Sequence, residues 1–286
     1  MKFKIFFMML AVALFTVSCS NSDDEDDTVT VNPSSEIAGS YSGYTSAAFA
    51  YTSTPIVTNG ETLTLTSNTD GTADLTFTSN QWGTTTASSL TVTTTTSGSY
   101  AFSGTSTTIL TGHSSSTSNE YEGTISGTLS ADKNDMEMSI SLTIMGGTTM
   151  TFKLGDAPAV EFLPDTYSGY TSAEFAYSST PIVTEDETIT ITANDDESLT
   201  LVYESETWGT TTIEDITAEI DSDGNYILSG EGTSVMGMSG SSTGNYTCAL
   251  TGTVSSDKET AEFVLSLEIM GGTTITFNIG DAPTTE

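Results

Sequence analysis

Two tryptophans and two tyrosines are the side chains of this 286-residue sequence best suited to touch a ligand. Trp82 opens Trp-Gly-Thr-Thr-Thr, and Trp208 opens the same five residues further on; Tyr44 and Tyr170 lie in a longer repeated stretch. An aromatic face held at a loop would stack on a sugar or another planar ligand; the competing use is an apolar plug at the end of a fold. Acid–base or nucleophilic catalysis needs a base beside its partner, normally His. The single His, His113, lies in a Ser-rich run, and the corresponding place in the second copy holds Ser239. The carboxylate pairs Glu204/Glu206 and Glu214/Asp215 have the groups for glycoside hydrolysis. Where they stand, the first copy has Thr78, Asn80, Ser88 and Ser89, so they read as solvated surface acids. Asp221-Ser-Asp-Gly-Asn225 looks like half a calcium loop, but no Glu closes it and Asp-Gly-Asn between strands is first a hairpin turn. Asn194-Asp-Asp-Glu197 is read the same way. One His and two Cys cannot build a Cys/His metal site. Haem ligation by His113, Met236 or Met238 has no counterpart of the same residue type in the other copy. The expectation is no catalytic residue, no metal and no cofactor.

These residues are positioned by a duplicated unit. Tyr41 to Thr58 returns as Tyr167 to Thr184, differing only at Ala48/Glu174 and Thr52/Ser178. Ile144-Met-Gly-Gly-Thr-Thr returns at Ile269, and Gly155-Asp-Ala-Pro158 at Gly280. The period is far too long for a solenoid, so each copy should be a complete domain able to bury its own core. The expected organisation is a signal over residues 1–18, an acidic tether over 19–37, one domain over 38–158 and a second over 159–286.

At the amino terminus, Lys2 and Lys4 precede Ile5 to Val17, an apolar run too short to span a bilayer, and then Ser18-Cys19. This resembles a bacterial lipoprotein signal, which implies Cys19 as the lipidated first residue of the mature chain. Five consecutive acids, Asp23 to Asp27, should stay solvated. They resemble the acidic export signal of lipoproteins displayed on the outer face of the outer membrane. Beyond Cys19 only three Lys face 38 acids, a net charge near −35. Nucleic acid is excluded as a partner, and attachment to a membrane falls to the lipid alone. The acids are uneven, with 9 over residues 38–158 and 23 over 159–286. If Cys19 is acylated, Cys248 has no disulfide partner and should be a buried thiol facing inward with Tyr246 and Leu250.

Within each copy, period-two alternation marks strands. Met136, Met138, Ile140, Leu142 and Ile144 form the clearest run; Leu63/Leu65 and Leu75/Phe77 give others, and the strand through Phe77 is expected to run on to Trp82. Turn signals such as Asp70-Gly71 and Gly146-Gly147 separate them, and Thr111 to Asn119 reads as a loop. Eight strands with short links close most simply into an antiparallel up-and-down barrel, with a Greek-key sandwich as competitor. The inward set includes Phe49, Tyr51, Phe77, Tyr100, Phe102, Tyr121, Met136, Met138 and Phe152. That bulk predicts a filled interior, with any binding at loops or rims.

Gly39-Ser-Tyr-Ser-Gly-Tyr, Tyr100-Ala-Phe-Ser-Gly104, Ser126-Gly-Thr-Leu-Ser130 and Phe152-Lys-Leu-Gly155 resemble the calycin-like β-barrel lipoproteins. Tyr167-Ser-Gly-Tyr, Tyr226-Ile-Leu-Ser-Gly230, Thr251-Gly-Thr-Val-Ser255 and Phe277-Asn-Ile-Gly280 carry the resemblance through the second copy. It implies two tandem eight-stranded calycin (lipocalin-like) barrels on a surface lipoprotein, and no functional residue beyond Cys19. The expected role is a non-enzymatic binding or accessory module at the cell surface. Its candidate contacts are Trp82, Trp208, Tyr44 and Tyr170, for a small hydrophobic ligand or glycan, with a surface protein as another candidate partner. The alternative is a structural spacer of the cell surface.

Overall fold

The computed structural model describes residues 32–52, 54–110, 120–144, 146–236 and 244–283. Each copy is a closed antiparallel barrel of eight strands in sequence order. The first comprises β1 (Gly39–Phe49), β2 (Ile56–Ser67), β3 (Ala73–Ser79), β4 (Gly83–Thr94), β5 (Tyr100–Ile109), β6 (Glu120–Leu129), β7 (Met136–Leu142) and β8 (Thr148–Leu154). Pairing of β1 with β8, Thr45 opposite Phe152, closes it. The second repeats the order: β9 (Asp165–Phe175), β10 (Ile182–Ala193), β11 (Leu199–Ser205), β12 (Gly209–Ile220), β13 (Tyr226–Met236), β14 (Gly244–Val254), β15 (Ala261–Leu267) and β16 (Thr273–Ile279). Here β9 pairs with β16, Thr171 opposite Phe277. His113, Met238 and Cys19 lie outside the described residues.

Alternation explains the burial. On β7, Met136, Met138, Ile140 and Leu142 are buried, and on β15 Ala261, Phe263, Leu265 and Leu267 are. A one-residue slip would turn Glu137 or Glu262 into the core, so the register is strongly specified. Two irregularities recur at matching places. Gly60 (φ 73°) and Asp186 (φ 57°) interrupt β2 and β10; Ser89 (φ 55°) and Asp215 (φ 52°) interrupt β4 and β12. The extra residue resets the phase of the strand beyond it. In β2 this places Glu61 inside the barrel, while Asn59 meets the second barrel.

Three sequence expectations are corrected. The tether does not extend to residue 37, because Pro33–Ile37 is a short helix, α1, docked on the barrel end. Asn32 caps it by accepting from the Ser34 amide at 3.1 Å, and Pro33 at the first turn has a fixed φ suited to a helix start. Ile37 is fully buried, and its carbonyl accepts from the Tyr41 hydroxyl at 2.7 Å. The second copy repeats the device: α2 (Ala159–Phe162) precedes buried Leu163, whose carbonyl accepts from Tyr167 at 2.8 Å. Tyr51 is not inward; β1 ends at Phe49, and Tyr51 is exposed. Finally, β3 stops at Ser79, leaving Trp82 in the turn before β4.

Because Ile37 and Leu163 plug their barrels from outside the strand ladder, truncating either leaves a cavity at the base of the core. Ile37→Ala and Leu163→Ala should each lower stability by about 2–5 kcal/mol, read as a lower urea midpoint with an unchanged slope; Ser35→Ala, on the exposed side of α1, should change it little.

Candidate functional site

Away from the α1 end, the interior of the first barrel changes character. Five consecutive strands turn polar side chains inward: Thr45 on β1, Glu61 on β2, Ser79 on β3, Thr85 on β4, and Ser106 and Thr108 on β5. Strands β6 to β8 complete the wall with Ile125, Ile140, Leu142 and Met150, and with one polar side chain, Thr148, whose hydroxyl donates to the Ile144 carbonyl at 3.1 Å. This upper section of the interior, the chamber, is therefore polar mainly on one wall and apolar on the other, and its buried polar atoms are packed out of reach of water. The bulky inward set expected from the sequence is joined here by buried polar side chains that it did not include.

Glu61 is the centre of the polar wall. It is 2 % exposed, and its Oε1 accepts from the Ser79 hydroxyl at 2.9 Å. Ser79 in turn accepts from the backbone amides of Trp82 (2.8 Å) and Gln81 (3.1 Å), so the glutamate anchors the turn that carries the tryptophan. Thr85 and Thr108 share a hydrogen bond at 2.8 Å. Four buried polar atoms have no partner among the described residues: Glu61 Oε2, Thr45 Oγ1, Ser106 Oγ and the Trp82 indole Nε1. Burial pushes the Glu61 carboxyl up to about 7, opposed by the Ser79 hydrogen bond.

The second barrel is built alike. Ser205 donates to Glu187 Oε1 at 2.8 Å and accepts from the Trp208 amide at 3.1 Å; Thr211 donates to Ser234 at 2.9 Å. Trp208 Nε1 is unpartnered here; the hydroxyl of Tyr203, which stands where the first copy has Phe77, faces Ser205, Thr171 and Glu187 without reaching ideal hydrogen-bond geometry. Burial holds the Tyr203 phenol well above its ordinary value. Cys248, Leu250, Leu265, Leu267 and Ile275 form the apolar wall. Cys248 is fully buried, as its phase predicts, and burial, rather than nearby negative charge, raises its thiol to about 11.

The four aromatic candidates divide. Trp82 and Trp208 are 8 % and 7 % exposed, so they act as plugs over the chambers rather than as open platforms; Trp82 packs on Phe49 with ring centroids 5.4 Å apart. Tyr44 lies on the outer face of β1 at the contact between barrels, its hydroxyl donating to Glu161 Oε2 at 3.3 Å. Tyr170, its counterpart on β9, is only partly buried. The acid pairs Glu204/Glu206 and Glu214/Asp215 are exposed, and Asp221 takes the amides of Asp223 and Asn225 in the hairpin turn between β12 and β13.

The contact joining the barrels was not read from the sequence. Tyr226 stacks on Phe162 of α2 (4.6 Å), donates to the Ala157 carbonyl at 2.6 Å and accepts from Asn59 at 3.0 Å. Asn59 closes the ring by accepting from the Ala157 amide at 2.9 Å. Lys153 stands 3.8 Å from Glu161, and Lys258, 3.3 Å from Asp165, lies over the Phe162 ring. A groove of about 740 Å³ runs beside this contact, bordered by Pro55, Val57, Val160, Glu161, Pro164 and Ile191.

Sequence comparison agrees with this architecture. The model of the calycin-like beta-barrel domain family matches residues 37–154 and again 164–279. The chain belongs to the calycin-like β-barrel family. Among solved structures, the chain is similar to the crystal structure of a putative outer membrane protein from Bacteroides fragilis NCTC 9343. The TM-score is 0.57 at 22 % identity, over 87 % of this chain and 99 % of that one, a likeness of fold. Among curated proteins, none matches. The family-matched segments coincide with the two barrels.

The chamber makes a pH prediction. No other charged group among the described residues is buried in the first barrel; Glu61 is flanked by Gly43 of β1 and Ser79 of β3. Its carboxyl binds a proton more tightly in the folded chain (about 7) than in the unfolded one (4.5). Its stabilising contribution is full below the lower value and is lost as pH rises through the upper one. Urea unfolding of the wild type should lose on the order of 2–3 kcal/mol relative to Glu61→Gln between about pH 5 and pH 8; parallel curves would show that Glu61 is not buried in the folded chain.

Proposed function

We propose that this chain is a lipid-anchored outer-membrane protein facing the cell exterior, whose two barrels form a non-enzymatic binding module. The carrying observation is the duplicated chamber. Each barrel keeps a buried glutamate, hydroxyls and an indole N–H, several unpaired among the described residues, opposite an apolar wall. A barrel that served only as a solid spacer would be more stable with apolar side chains there, since unpaired buried polar groups cost about 1–3 kcal/mol each. A ligand whose binding repacks this cluster and completes its pairing would remove that penalty.

The anchor rests on the apolar run Ile5–Val17 followed by Cys19, and the description of the structural relative as an outer membrane protein supports the location. Surface display rests on the acidic run Asp23–Asp27. The non-enzymatic reading is supported by the exposed, scattered placement of the acid pairs that would otherwise suit hydrolysis. A spacer role is the second reading, favoured by the interlocked Asn59–Tyr226–Ala157 contact.

Two experiments test the proposal. Thermal unfolding of residues 28–286 against calcium, haem, lipophiles, glycans and small amines and alcohols should show a saturable shift from one class. At ~100 times the dissociation constant a ligand adds about 2.7 kcal/mol, and a flat panel would leave the spacer reading in place. In cells, Cys19→Ala should abolish acyl labelling and release the protein from the membrane fraction; retention would refute the anchor.

A further inference from the structure

We infer that the rim of each barrel opposite its short helix binds a neutral glycan, with Tyr51 and Tyr177 as the stacking platforms. This rests on the binding role proposed above, and it names the contact surface and the ligand class.

The two copies have diverged unevenly. At the helix end, Thr69-Asp-Gly-Thr72 has become Asp195-Asp-Glu-Ser198, and Thr95-Thr-Ser-Gly-Ser99 has become Asp221-Ser-Asp-Gly-Asn225. At the opposite rim, the exposed residues Tyr51, Thr54, Pro55, Gly146 and Gly147 return unchanged as Tyr177, Thr180, Pro181, Gly271 and Gly272. Solvent-facing loops ordinarily drift faster than the strands they join, so a loop that holds its residues points to a contact. The backbone accounts for the four glycines, whose φ angles run from 78° to 107°. It does not account for the tyrosines, which are 81 % and 82 % exposed.

These rings are placed by the fold. Tight turns project them, the Thr52 amide donating to the Phe49 carbonyl at 3.4 Å and the Ser178 amide to the Phe175 carbonyl at 3.1 Å. A Cβ at Gly146 would stand 3.5 Å from the Tyr51 ring, and one at Gly271 would stand 3.8 Å from the Tyr177 ring. Each ring is thus steadied by a Gly-Gly turn while most of its surface stays open. Beside Tyr177 is an open hollow of about 410 Å³ bordered by Glu174, Ser178, Ser179, Pro181 and Thr274.

An aromatic face flanked by hydroxyls suits a pyranose, which lays its C–H face on the ring and turns its hydroxyls to the border. The charged border residue, Glu174, is Ala48 in the first copy, so the recognition that the copies share carries no charge. Anionic sugars are further disfavoured by the acidity of the whole chain. An open, hydroxyl-edged hollow also gives a lipid tail no enclosed apolar cavity. In the first barrel, Phe49 at the base of the same turn packs on Trp82, so a glycan on Tyr51 would lie over the roof of the buried cluster.

The mature chain is titrated calorimetrically with neutral hexasaccharides of glucose (α-1,4 and β-1,4), xylose, mannose and N-acetylglucosamine, and with hexagalacturonate as the anionic control. At least one neutral oligosaccharide should bind saturably, and hexagalacturonate about tenfold or more weakly. Tyr51→Ala and Tyr177→Ala should each weaken binding about tenfold at their own barrel, and the double substitution should abolish it. Tyr51→Phe and Tyr177→Phe keep the ring and should stay within about threefold of the wild type. Both positions are exposed, so an unchanged urea midpoint confirms that the alanine variants fold. Undiminished binding by the double alanine variant would overturn the placement, and equal binding of hexagalacturonate would overturn the neutral class. Silent oligosaccharides alongside a thermal shift from another ligand class would sink this inference alone; silent oligosaccharides and a flat panel would sink both.

Discussion

Closure of the strand ladder is the constraint on which the rest depends. Once β1 pairs with β8 and β9 with β16, every second side chain is sealed from water and must be apolar, hydrogen-bonded or ligand-matched. The closing seam is tight. A Cβ at Gly43 would run into the Lys153 carbonyl, and one at Gly169 into that of Asn278, so the residue beside each buried glutamate has to be glycine. The chamber is thus a product of closure, with a glycine seam on one side and the Ser79 or Ser205 turn anchor on the other.

The same closure separates two tasks in each strand. Beyond the bulge at Gly60, β2 presents Val57 and Asn59 to the second barrel, while Glu61, two residues along, serves the interior. The positive charges follow this division. Of the three Lys beyond Cys19, Lys153 and Lys258 are at the contact, each near an aromatic ring and an acid, Glu161 of α2 for the one and Asp165 at the start of β9 for the other. In a chain so acidic, cations placed there offset repulsion between the two domains where they are closest.

Much of this was legible. Runs such as Met136 to Leu142 disclose a half-buried strand by period alone, and the repeat doubles the information, so two eight-stranded barrels followed. The chamber was also written in the sequence. Glu61 shares the phase of Leu63 and Leu65, and Glu187 that of Ile189 and Ile191, yet among 38 acids an inward one is easily taken for surface. Helix α1 escaped because five residues are too few for a 3.6 period to appear. The ring of Asn59, Ala157 and Tyr226 escaped because it joins residues far apart in sequence with no pattern linking them. Pattern alone also could not say whether Trp82 is a platform or a plug, since both uses place it at the end of a strand.

The join between barrels has a direction. The first barrel offers Asn59 to Tyr226, which stacks on Phe162, the last residue of α2; by the repeat, the second barrel carries Glu185 in place of Asn59, and the matching residue of α1 is Glu36. If molecules stacked head to tail by reusing this geometry, Glu36 of one would approach Glu185 of the next, anion against anion, without the amide and aromatic partners of the internal join. The duplication therefore does not repeat its own join: the residues that dock the two barrels inside the molecule are replaced by acids at the two outer ends, which disfavours the same contact between molecules.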